Sequence, residues 1–315
     1  MKTIIKKGFN ILTFTLVMVM FFPNQIKAQD EPVAVVEEAV PEVKKENKPV
    51  KSPYEAGMLV ETQTYLVWPK KTLEFVIQHR FGKVNNTYFD MLGLYAPSNI
   101  KLGINYGLFK NAQIGIGSTK VGKLVDLNYK YAILTQTQSN SMPIAVTYYG
   151  NTELGVDSKK SLFGDKFRYT YFNQLIIGRK FSKAVTLQVS AMHAHFNIID
   201  TLSLEPPVTK HSNFGFGVAG RVKFSPQGSV MFEYAMPLTT PKYADIKDTK
   251  GVVTNSSVKP NLSFGVEFAT SGHTFQIFLT TYDKISPQGN LMYNTNDFTK
   301  QDVVIGFNIT RNWGF

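Results

Sequence analysis

His193 and His195 sit two residues apart, which places both imidazoles on one face of a strand. Two imidazoles so placed could hold a metal ion. A histidine beside a serine could also hydrolyse an ester, as a lipid-acting enzyme requires. Ser190 falls on the opposite face from both histidines, and no carboxylate lies close in sequence to orient either ring. The pattern therefore reads as structural or interfacial histidines, with a metal or ligand contact and lipid hydrolysis as the alternatives.

Other motifs lack their structural context. Gly117-Ser118-Thr119-Lys120-Val121-Gly122-Lys123 fits G-x-x-x-x-G-K, but a phosphate loop needs Ser or Thr next and then a helix. Here Leu124 follows and a strand pattern resumes, so the segment reads as a hairpin connection. Gly215-x-Gly217-x-x-Gly220 fits the dinucleotide fingerprint but lies inside an alternating strand with no helix after it; glycines that relieve crowding in an interior explain it better. Asn294-x-Asn296-Asp297 is a loose oxygen cluster whose spacing is incomplete for a calcium loop, and it reads as solvated loop. No cofactor, metal or catalytic residue is expected.

The elements that carry these residues are strands. From Thr72 onward, apolar residues recur at every second position. Ile100, Leu102, Ile104, Tyr106 and Leu108 alternate with Lys101, Gly103, Asn105 and Gly107; Phe214 to Phe224 and Leu262 to Phe268 repeat the pattern. One face of each strand is greasy and the other polar or small. Candidate strands cover 72–82, 99–109, 111–121, 123–136, 142–152, 166–181, 184–198, 213–225, 228–238, 261–271, 273–283 and 302–315. Most reach the ~9–11 residues that a tilted membrane strand needs. Short connections (Lys110–Asn111, the Thr137–Ser141 region, Ser182–Lys183, Pro226–Gln227, Ser271–Gly272) alternate with long ones, apart from a short link near Gly122. Short turns on one side and long loops on the other mark outer-membrane barrels. The last strand is apolar at every second residue and ends in Phe; Phe307, Ile309, Trp313 and Phe315 form the candidate assembly signal read by barrel-assembly machinery. The expected fold is all-β, a transmembrane antiparallel up-and-down β-barrel of about twelve strands over 57–315.

Lys101, Asp126, Lys130, Arg221, Lys223, Glu233 and Glu267 lie on the polar faces. A charge facing lipid at mid-depth costs ~2–4 kcal/mol, so these residues should face the lumen. There they either pair with one another or line a conductive path.

The rest of the chain is an address and a tether. Lys2, Lys6 and Lys7 precede an apolar run over 11–22 and a small residue at Ala28, the layout of a signal peptide over 1–29. The run is shorter than the ~20 residues of a membrane helix. Removing the leader's four lysines lowers the formal charge from +11 to +7, so part of the basic excess belongs to export and not to a nucleic-acid surface. Residues 30–56 form a Pro/Glu/Lys-rich periplasmic tail, expected to be disordered; Asp30–Pro53 holds four prolines, six acids and no aromatic residue. A periplasmic partner could engage 30–53. Residues 57–71, with Glu61–Pro69 extended, are a candidate lumen plug or rim segment. The absence of cysteine excludes disulfides, thiolate metal sites and a lipoprotein anchor.

His79-Arg80-Phe81-Gly82, Leu94-Tyr95-Ala96-Pro97-Ser98-Asn99, Tyr106-Gly107 and Gly115-Ile116-Gly117 together resemble an uncharacterised family of Gram-negative outer-membrane β-barrels, a domain of unknown function. The resemblance covers about 55–315 and is strongest over 72–150. It implies an outer-membrane barrel, in contact with lipid and lipopolysaccharide, and no established activity. The expected function is a narrow passive channel for small solutes. The alternatives are a self-plugged structural or adaptor barrel and, less favoured, a lipid-acting enzyme.

Overall fold

The computed structural model describes residues 47–84, 91–156, 168–199, 211–240, 246–247, 253–254, 257–300 and 302–315. The signal peptide and tail residues 30–46 lie outside the described residues.

Twelve strands close into one antiparallel barrel: β1 (Thr72–Lys83), β2 (Asn99–Phe109), β3 (Ala112–Thr119), β4 (Leu124–Leu134), β5 (Ala145–Gly155), β6 (Tyr169–Lys180), β7 (Val185–Phe196), β8 (His211–Lys223), β9 (Gly228–Pro237), β10 (Asn261–Ala269), β11 (His273–Thr280) and β12 (Val304–Gly314). Neighbours in sequence are neighbours in space, and β12 returns to β1. The closing ladder pairs Thr72 with Gly314, Val76 with Thr310 and Arg80 with Gly306, and it shifts register between Arg80 and Lys83. A two-stranded ribbon of Ile246–Lys247 and Val253–Thr254 stands apart.

Burial along each strand has a period of two, and its sign is inverted relative to a water-soluble protein. Ile116, Leu127, Phe264 and Ile277 are half or more exposed, whereas Glu74, Arg80, Asp126, Lys130, Arg221 and Glu267 are almost fully buried. The exposed apolar face belongs against hydrocarbon, and the polar face turns inward. Phe307 and Ile309 follow this rule on the outer face of β12, alternating with buried Gly306, Asn308 and Thr310. The Phe315 amide donates to Lys71 O, fastening the chain end beside β1.

The structure corrects two boundaries. The β4–β5 connection runs from Thr135 to Ile144, longer than expected. Thr137 N donates to Met142 O and turns the chain before β5 can start, so β5 begins at 145 rather than 142. The tail expected to be disordered through residue 56 is ordered from 47. Pro49 bridges Thr137, Val50 N donates to Gln136 O, and Lys180 Nζ donates to Lys51 O and Ser52 O. Composition over 30–53 misses this because turn backbone, not apolar burial, supplies the partners.

The long loop before β12 also departs from expectation. It contains a short helix, α1 (Pro287–Tyr293), whose Gln288 to Met292 are buried. Ser286 caps it by accepting from Gly289 N, and Pro287 needs no donor in the first turn.

Ile277 sits mid-strand on the exposed face, opposite Phe307 and Val266. Ile277→Arg should lower barrel stability by ~2–4 kcal/mol, against the near-zero effect of an exposed position in a water-soluble sheet. Urea-titrated refolding into phosphatidylcholine vesicles measures this, and an unchanged midpoint would refute lipid contact at that face.

Candidate functional site

Residues 54–69 run inside the barrel. A reverse turn, with Met58 bridging Gln63 and Leu59 N donating to Thr62 O, pushes Val60 and Glu61 towards the middle of the lumen. Leu59 and Val60 are fully buried.

Wall side chains grip this turn from several sides. Glu233 on β9 accepts from Glu61 N (3.1 Å) and Thr62 N (2.9 Å) with one oxygen, and from Tyr282 Oη (2.9 Å) with the other. Arg80 on β1 donates to Val60 O at 2.9 Å and pairs with Glu61 at 3.2 Å. Asn308 on β12 donates to the same carbonyl at 2.8 Å. Lys130 on β4 donates to the carbonyls of Gly57 (2.8 Å), Thr64 (3.2 Å) and Leu66 (3.2 Å), so one ammonium holds both arms of the turn. Gln188, Gln276 and Gln113 donate to or accept from Gln63, Met58 and Trp68. Hydrogen bonds that involve an ionised partner contribute about 1.5–3 kcal/mol each, which makes Glu233, Arg80 and Lys130 the strong fasteners. Apolar contact adds to them. Tyr54, Leu59, Val60 and Tyr65 pack with the inward side chains of Ile176, Ala219, Met231 and Phe278.

The seven polar-face candidates divide between two roles. Lys130 and Glu233 bind backbone of the inserted segment. Arg221 lies 3.1 Å from Glu267 and 3.2 Å from Glu55, and donates to Ser52 O; Lys223 also pairs with Glu55 at 2.6 Å. Lys101 and Asp126 pair across the wall at 2.8 Å. A Cβ at Gly117 would lie 2.4 Å from that Asp126 carboxylate, so the glycine of the phosphate-loop look-alike makes room for an ion pair. Sequence reasoning missed Glu74, Gln78, Arg80, Glu153, Gln188, Gln276 and Asn308, which the same alternation places inward. Glu55 lies outside any strand and carries no periodic signal; Glu61 opens the candidate plug Glu61–Pro69, but its partners Arg80 and Gln78 were not legible.

A second insert enters from the long-loop end. Ser286 Oγ donates to Glu153 (2.7 Å), Gln288 to Asn151 (3.0 Å), and Asn213 to Leu291 O (2.6 Å). Leu291 and Met292 pack on Tyr149, Phe172, Met192 and Ala194. A Cβ at Gly215 would come within 2.6 Å of Leu291, so the dinucleotide look-alike is a slot for this helix. Where the two inserts meet, between Glu61 and Thr62 on one side and Asn290 and Leu291 on the other, the cavity is about 20 Å³. That is space for about one water.

The other candidates have ordinary partners. Asn294 donates to Asn261 at 2.9 Å. Asp297 accepts from the Thr299 hydroxyl and amide, which hold its carboxyl below the usual range. His193 and His195 are on the outer face with rings stacked 6.4 Å apart. His195 Nδ1 lies 2.8 Å from Ser212 Oγ on β8, a serine that sequence proximity could not supply. Among the described residues no carboxylate is within hydrogen-bond distance of His195, and no group of three metal-ligating side chains occurs.

Lys130→Met should remove the donor from three carbonyls at once. Amide exchange in 57–66 should then accelerate by about one to two decades, the equivalent of 1–3 kcal/mol, while the β-ladders keep their protection. Hydrogen exchange read by mass spectrometry would show it, and unchanged exchange in 57–66 would refute this fastening.

The family model described as Membrane bound beta barrel domain (DUF5777) matches residues 54–313. No curated protein matches the sequence. Among solved structures, the chain resembles the NanC porin (10% identity, 77% of this chain and 99% of that one, TM-score 0.48). It also resembles the COG4313 outer membrane channel from Pseudomonas putida F1 (9% identity, 79% and 98%, TM-score 0.49). The KdgM porin is a further likeness (6% identity, 78% and 99%, TM-score 0.43).

Proposed function

We propose that this chain, which belongs to the membrane bound beta barrel domain family, is a gated channel for small solutes in the outer membrane, held closed by its own residues 54–69. The observation that carries this reading is the manner of attachment. All twelve wall strands complete their hydrogen-bond ladders with one another, and β12 seals on β1. Within the lumen, residues 54–66 are fastened to the wall strands through side chains, by ion pairs and by side-chain to backbone hydrogen bonds. Withdrawal of the segment would leave the cylinder intact and expose a polar wall. The chain leads from the lumen over the short-turn rim at 47–53, the side on which a periplasmic partner of 30–53 would act.

A second reading, a self-plugged adaptor barrel, is favoured by the apolar contacts of Tyr54, Leu59 and Val60 with the wall, which oppose withdrawal.

Planar bilayers separate the two. Gating predicts rare conductance steps for the intact protein, and sustained steps after deletion of 47–69 together with replacement of α1 (Pro287–Tyr293) by a Gly-Ser linker. A folded deletion variant that stays silent would sink the channel and leave the adaptor.

A further inference from the structure

On the outer face of the wall, one line of side chains breaks the apolar rule. Among the described strand residues, asparagine and glutamine point inward, as Gln78, Gln174, Gln188, Gln276, Asn213 and Asn308 do. Asn173 on β6 is the exception. It alternates with buried Phe172 and Gln174 and shares its face with exposed Leu175 and Ile177. Tyr169 and Tyr171 stand between it and the long-loop end of the strand, and Leu175 and Ile177 between it and the short turn. Aromatic girdles mark the headgroup level, so Asn173 lies on the hydrocarbon side of one.

Asn173 is the centre of a polar line that crosses the wall from β4 to β8. Tyr129 Oη on β4 donates to Tyr148 Oη on β5 at 3.5 Å, and Tyr148 Oη donates to Asn173 Oδ1. Asn173 Nδ2 donates to His193 Nδ1 on β7 at 3.4 Å. The His193 ring stacks on His195, whose Nδ1 lies 2.8 Å from Ser212 Oγ on β8. A Cβ at Gly150 would lie 2.4 Å from the Tyr129 ring, so this glycine lets the ring lie flat across the wall. Within the line Asn173 uses one N–H and one lone pair, and a primary amide has a second of each. With Nδ1 accepting, the neutral His193 ring carries its proton on Nε2, a further donor. Acyl chains offer these groups nothing, and a glycerol ester carbonyl can only accept. A second copy offers both a donor and an acceptor. A two-fold contact sets a face against itself, so it favours groups such as a primary amide that both donate and accept.

We propose that the outer face of β5–β7 is the interface of a two-fold dimer within the membrane, in which Asn173 and His193 of one copy hydrogen-bond to the same residues of the other. The contact uses the outside of the wall, so it goes beyond the gating reading and holds whether or not the lumen opens.

The chain has no cysteine, so single cysteines report which faces meet. Ala191 shares the outer face of β7 with His193, and Ile277 is exposed on β11, across the barrel. In dilute phosphatidylcholine vesicles, a short bismaleimide should join Ala191→Cys into a dimer and leave Ile277→Cys monomeric. Adding Asn173→Leu and His193→Leu should lower the Ala191→Cys dimer by about tenfold, the loss expected when side-chain hydrogen bonds across a membrane interface are removed. Both leucines face lipid, and the gel shift of a barrel on heating checks that each variant is folded. Equal cross-linking from both faces, a monomer at every protein-to-lipid ratio, or a folded leucine variant that dimerises as before would overturn the interface. In outer membranes, a product whose mass is not twice that of the chain would assign the face to another protein and overturn the dimer. Because no current is measured, a silent barrel that still dimerises through this face would refute the channel and leave this inference standing.

Discussion

Hydrocarbon offers no partner to a backbone amide or carbonyl, and an unpaired group there costs several kcal/mol. The whole molecule follows from that constraint. A sheet in lipid cannot keep an edge, so β12 must return to β1, and the ladder from Thr72–Gly314 to Arg80–Gly306 is the seam that makes the rest possible. Closure converts the two faces of every strand into an outside and an inside. The outside carries Ile116, Leu127, Phe264 and Ile277, and the inside carries Glu74, Arg80, Asp126 and Lys130.

Closure of twelve strands creates a second problem. About eight strands enclose a space that wall side chains can fill, and twelve enclose more. The chain fills it from both ends, with the turn at 58–63 from the short-turn side and α1 from the long-loop side. Charges that would be costly alone are satisfied by backbone from the inserts. Glu233 takes two amides and a phenol, and Lys130 takes three carbonyls. This exchange of side-chain charge for insert backbone closes the lumen, yet it leaves the wall's own ladders complete.

Much of the wall was legible because its signal is local. A period of two in Ile100 to Leu108 or Phe214 to Phe224 states which side chains share a face, and every charged residue singled out on the polar faces points inward. Strand ends were less legible where a turn competes for backbone, as at Thr137 and Met142, which delays β5. The inserts were legible only in part: the extended stretch Glu61–Pro69 marked a candidate plug or rim segment, but not its turn or its wall partners, and the helix before β12 left no signal. Residues 54–69 have no periodicity, and α1 is seven residues long, with a cap at Ser286 that resembles any Ser-Pro turn. The two glycine motifs, read from sequence as a hairpin connection and as relief of crowding in an interior, both mark a close approach. Gly117 and Gly215 are glycines because something approaches closely, but that something is an ion pair and a helix, not a phosphate.

The amino-acid order by itself determined the number of strands, the face to which each side chain belongs, the membrane setting and the direction of the charged residues, because each depends on neighbours within a few positions. The tertiary structure alone decided what those charges meet: Arg80 with Glu61, Arg221 with Glu55 and Glu267, His195 with Ser212, and the closed lumen between the two inserts. Such pairings join residues many positions apart, and a strand's alternation carries no record of its partner across the barrel. They exist once the wall has closed and the space inside must be filled.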